Sequence, residues 1–103
     1  MSRKRAVGLH LGVGESRVVA LPPCVYAAVV DVPSETVLRA DVLGEEGDVL
    51  VRFPPDAMKG RARLSAFSGD AASVRFENVG KRDAAFWVVF EVFDAFAEPP
   101  RAA

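Results

Sequence analysis

Few side chains in this chain could do chemistry, and their spacing argues against most of it. The one histidine, His10, lies in Val7-Gly8-Leu9-His10-Leu11-Gly12-Val13. A general base needs an orienting carboxylate and a partner to activate. On an alternating stretch flanked by glycines, His10 reads instead as an exposed or rim residue. The one cysteine, Cys24, excludes an internal disulfide; after Pro22-Pro23 and among apolar neighbours it reads as a small buried hydrophobe. A structural zinc site wants four Cys or His ligands, more than the chain has. Glu45, Glu46 and Asp48 crowd one short stretch but lack the repeated Asp/Asn spacing of a calcium loop, so they read as solvated turn acids. Gly12-Val13-Gly14-Glu15-Ser16-Arg17 starts like a dinucleotide fingerprint, yet the third glycine is missing and no helix pattern follows. Ser16 lacks the flanking glycines of a nucleophile elbow. The expectation is a non-enzyme with no catalytic, cofactor-binding or metal residues.

One cluster combines basic charge with an aromatic platform. Arg61, Arg63 and Arg75, with Lys59 nearby, are expected on one outer surface with Trp87, the combination that single-strand nucleic-acid binders use. Glu77 and Glu91 fall on the same expected face and neutralise part of it. Across the chain, 13 basic residues meet 14 acidic ones for a net charge of −1, so no global field draws in nucleic acid or an anionic surface. Nucleic acid is therefore an unfavoured partner. The apolar runs are far shorter than the roughly 20 residues needed to span a bilayer. The basic start, Ser2-Arg3-Lys4-Arg5, precedes an apolar run too short and too glycine-rich for a signal peptide. A soluble protein, cytoplasmic or particle-associated, is expected.

The elements that would position these residues are strands. Residues 84–96 hold the only tryptophan and four phenylalanines, and β-branched and aromatic residues in such a run suit a central strand. One face would carry Phe86, Val88, Phe90, Val92 and Phe96; the other would carry Trp87, Val89, Glu91 and Phe93. The remaining strands are expected at 7–13, 16–21, 24–32, 36–43, 48–53, 61–67 and 73–78, punctuated by Pro22-Pro23, Pro33, Pro54-Pro55 and paired glycines around 44–47. A single helical turn is expected at 56–59. Residues 1–5 read as a basic tail, 6–97 as one domain and 98–103 as a flexible end.

A register can be proposed for the last three strands. With Leu64 opposite Phe76, Ala66 faces Val74 inside while Arg63 faces Glu77 and Ser65 faces Arg75 outside. Phe86 opposite Phe76 then sets Trp87 against Arg75. Eight or so short strands without helical periodicity predict an all-β fold, a small antiparallel sandwich of jelly-roll type with little or no helix.

The apolar strip Trp87, Val89 and Phe93 must be covered by the segment 7–13, by the C-terminal tail or by another chain. The expected function is a structural or assembly module, self-associating or decorating a virion or other large complex through that strip. The alternatives are a module binding a carbohydrate or lipid-like ligand through Tyr26, Trp87 and loop acids, or a weak single-strand binder.

Overall fold

The β-rich segments bounded by proline and glycine do form strands. A computed structural model describes residues 2–65, 67 and 69–93. In chain order the strands are β1 (Ser2–Leu11), β2 (Ser16–Ala20), β3 (Val25–Val32), β4 (Leu38–Gly44), β5 (Val49–Phe53), β6 (Gly60–Leu64), β7 (Ala71–Asn78) and β8 (Ala84–Phe93). The helical turn is a 3-10 turn at Pro55–Ala57, opened by proline at its first position, where the missing N–H costs nothing. Residues 2–5, expected as a tail, are the first part of β1 and pair with the end of β8.

Two antiparallel four-stranded sheets pack as a sandwich. The first has the order β1-β8-β3-β6, the second β2-β7-β4-β5. The pairs β1/β8, β2/β7, β3/β6 and β4/β5 share one geometry: Ser2 meets Phe93, Ser16 meets Glu77, Ala28 meets Leu64 and Ala40 meets Phe53. Each of these pairs is centred in the short loop after β4. The chain is thus one long hairpin, folded at that loop and then rolled so that β8 also meets β3 and β7 also meets β4. That is the jelly-roll wrap.

Alternation supplies the core. Phe86, Val88, Phe90 and Val92 of β8 point inward and are buried, as are Val74 and Phe76 of β7 and Leu38, Ala40 and Val42 of β4. Phe76 and Phe86, from opposite sheets, meet edge to face with centroids 5.6 Å apart. Asn78 is the polar member of this interior: its Nδ2 donates to the carbonyls of Leu11 (3.1 Å) and Arg82 (2.7 Å), and its Oδ1 accepts from the Gly80 amide (3.0 Å). One side chain therefore ties β1, β7 and the loop before β8 together.

The expected meander of the last strands is not formed. β6 pairs with β3 in the first sheet, whereas β7 lies between β2 and β4 in the second. Phe76 and Phe86 do meet, but across the core and not as neighbours in one sheet. The proposed partner Arg63 for Glu77 goes to Glu91 instead, and Glu77 takes Arg39. The charge pattern was satisfied equally well by two sheet arrangements, because alternation assigns a residue to a face and not to a neighbour. The expectations for Ala66, for Phe96 and for the tail 98–103 fall outside the described residues.

Candidate interaction surface

The outer face of the first sheet gathers residues from all four of its strands. The register aligns Gly8, Trp87, Asp31 and Arg61 in one row across β1, β8, β3 and β6. The next row is Ala6, Val89, Val29 and Arg63, and the row after it starts Lys4, Glu91. Trp87 is 59% exposed and Phe93 57%, well above what a strand buried on both faces would leave. Val89, between them, is half-buried. Segment 7–13 does not cover the strip, since β1 lies beside β8 within the same sheet. The expected contact residues Trp87, Val89 and Phe93 thus share one face, open among the described residues.

Two features shape that face. The Trp87 indole lies over Gly8: a Cβ on Gly8 would come within 3.2 Å of its Cη2. Glycine here gives the ring room to lie against the backbone of the edge strand. Glu91 collects the polar contacts, accepting from Arg63 Nη1 (2.7 Å) and the Tyr26 hydroxyl (3.3 Å). Arg61 makes a looser pair with Asp31 at 4.0 Å. A shallow hollow of about 310 Å³ runs beside Trp87 between His10 and Ala85. His10 is exposed, as the alternation predicts.

The basic and aromatic cluster does not assemble as expected. Arg61, Arg63 and Trp87 share the first sheet's outer face, but Arg75 is on the outer face of the second sheet. Arg75 there donates to Asp41 Oδ2 at 2.6 Å, and Arg52 donates to Asp41 Oδ1 at 2.9 Å. Beside them Arg39 is paired with Glu77. Asp41 is 1% exposed although it faces outward, because the two guanidinium groups roof it. Burial pushes its carboxyl up, but hydrogen bonds from Arg52 and Arg75 and their positive charges outweigh burial and hold it below the usual carboxylate range. The same contact raises the Arg52 guanidinium. Sequence reading missed this cluster. The signal was present as an acid in the middle of a strand that is apolar but for Arg39, Leu38-Arg39-Ala40-Asp41-Val42-Leu43.

Cys24 is exposed, not buried, and its φ of 61° is left-handed. It follows Pro22-Pro23, and the Cys24 carbonyl accepts the Phe93 amide at 2.8 Å. The turn acids Glu45, Glu46 and Asp48 line a cleft with Asp70. Among the described residues no group of three His, Cys, Asp or Glu side chains is placed to hold a metal ion, and no helix is long and apolar enough to cross a membrane.

No family model matches the chain, and no curated protein matches it in sequence. Among solved structures it is similar to one described as "Bacillus endospore appendages form a novel family of disulfide-linked pili", with a TM-score of 0.51 and 7% identity over 89% of this chain and 86% of that one. At that identity the likeness speaks for the fold alone.

Proposed function

We propose that this chain is a non-enzymatic structural module that builds a larger assembly through the outer face of its first sheet. The observation that carries this reading is the exposed pair Trp87 and Phe93, flanking Val89 on a central strand and set in a rim of Tyr26, Arg61 and Arg63. Aromatic and arginine side chains around an apolar centre are the composition enriched at protein contacts. The fold shared with a pilus protein is in keeping with assembly.

The test is mass in solution across a dilution series, for the unaltered chain and for Trp87→Lys and Phe93→Lys. Assembly through this face gives a mass above 11.0 kDa that falls in both variants, with unchanged circular dichroism. A mass that neither substitution alters would refute it.

A further inference from the structure

Sheet edges carry rows of unpaired backbone N–H and C=O groups, and proteins blunt them with short strands, proline, bulges or charge. The four edges of this sandwich are blunted unequally. β2, β5 and β6 have five residues each. β1 has ten, contains no proline and pairs with β8 along its whole length without a register shift. Its residues 6–11 include no Lys, Arg, Asp or Glu. Among the described residues no strand lies on its outer side.

The direction of the free backbone groups follows from one hydrogen bond. The Phe93 amide donates to the Cys24 carbonyl, on the β3 side, so Glu91, Val89 and Trp87 also turn their backbone groups toward β3. The alternate residues Phe90, Val88 and Phe86 turn toward β1, where they meet Arg5, Val7 and Leu9. It follows that Lys4, Ala6, Gly8 and His10 direct their N–H and C=O groups away from the sheet.

The same edge is polarised in charge. Lys4 and Arg5 stand exposed near its start. Just past its end, the side-chain position of Gly12 lies 3.9 Å from Asp83 Oδ1 and 3.9 Å from Glu15 Oε1. An edge that is basic at one end and acidic at the other complements an antiparallel copy of itself.

We propose that β1 pairs antiparallel with β1 of a second copy about a two-fold axis at Gly8, joining the two first sheets into one continuous sheet. Gly8 then exchanges backbone hydrogen bonds with the partner's Gly8, Ala6 with the partner's His10, and Lys4 reaches the partner's Gly12 between its two carboxylates. The contact is isologous, so each interaction occurs twice. Trp87, lying over Gly8, is brought beside the partner's Trp87. The inference deepens the assembly reading by naming a second copy as partner, but it uses the edge of the sheet and leaves the outer face free.

The test is sedimentation of the full chain across dilution at low and high salt, joined to amide exchange. The expected species has twice the 11.0 kDa mass and weakens as salt rises, with the Gly8 and His10 amides protected. Ala6→Pro removes an outward N–H and leaves the β8 ladder intact; it is expected to be folded and monomeric, with those amides exchanging freely. Lys4→Glu and Asp83→Lys should each weaken the dimer about tenfold, and the two together should restore it. Should Ala6→Pro fail to fold, this charge swap decides: no restoration overturns the proposal. A dimer that survives in Ala6→Pro, or that leaves the Gly8 amide unprotected, also overturns it. If that dimer falls apart in Phe93→Lys, the assembly reading stands without the edge. A monomer at every concentration overturns both.

Discussion

The two sheets follow one plan, each with a central strand whose inward side chains fill the shared core, yet their outer faces differ in how they meet water. β7 presents Ser73, Arg75 and Glu77 outward, and neighbouring strands answer with Asp41, Arg39 and Arg52, so the charges are consumed within the sheet. β8 presents Trp87, Val89 and Phe93 around one paired acid, Glu91, and no strand of its own sheet lies above the apolar three. Cross-strand charge pairs close a face on itself, because each partner is reached within the plane of the sheet. An apolar row gains nothing from its in-plane neighbours that removes it from water, and only another surface can do that.

Breaking the closed face has the largest expected effect. Asp41→Ala leaves Arg52 and Arg75 without their shared acceptor and opens a gap beneath them. Because both guanidinium groups can still hydrate, the expected loss is about 2 kcal/mol in urea unfolding, below the extreme for a fully buried pair. A change under about 0.5 kcal/mol would mean that the cluster is ornament.

Acid should unpick the same face. The folded state holds the Asp41 carboxyl below its ordinary value of 3.8, so its contribution is fully present above that value and is lost as the pH falls through the lower folded one. Asp41→Asn is therefore expected to lose less stability than the unaltered chain between neutral pH and pH values below 3.8. Equal losses in urea unfolding at the two pH values would place the acid sensitivity elsewhere.

The open face should respond weakly in stability. Gly8→Ala puts a methyl 3.2 Å from the Trp87 ring, which must lift by a few tenths of an ångström. The expected change is under about 1 kcal/mol, accompanied by a red shift of Trp87 emission as the ring meets more water. Trp87→Lys is expected to shift monomer stability by no more than about 0.5 kcal/mol, since the ring is already more than half exposed. A large destabilisation there would make Trp87 a structural residue and weaken the contrast between the faces.

Much of the architecture could be read from the chain because alternation is local. The inward set of β8 and the outward set Trp87, Val89, Glu91 and Phe93 follow from period two alone, and the prolines at 22–23, 33 and 54–55 mark where strands stop. Partner choice could not be read in the same way. Arg63 has an acid across the strand in the expected meander and another in the actual sheet, and nothing local separates Glu77 from Glu91. Arg75 falls beside Trp87 in the expected meander for the same reason, and the true sheet order puts it on the opposite face of the sandwich.

By itself, then, the sequence determined an antiparallel sandwich of about eight strands, the inward set of β8 and the outward position of Trp87, Val89 and Phe93. Those properties depend on side-chain type and a two-residue period, which act within a single strand. The tertiary structure alone decided that the chain rolls as one hairpin about the loop after β4, that Asp41 is roofed by two arginines and that β1 forms a long regular edge. Those depend on which strands meet across large separations in sequence, where several pairings satisfy the same local pattern and only the packing of the whole core selects one.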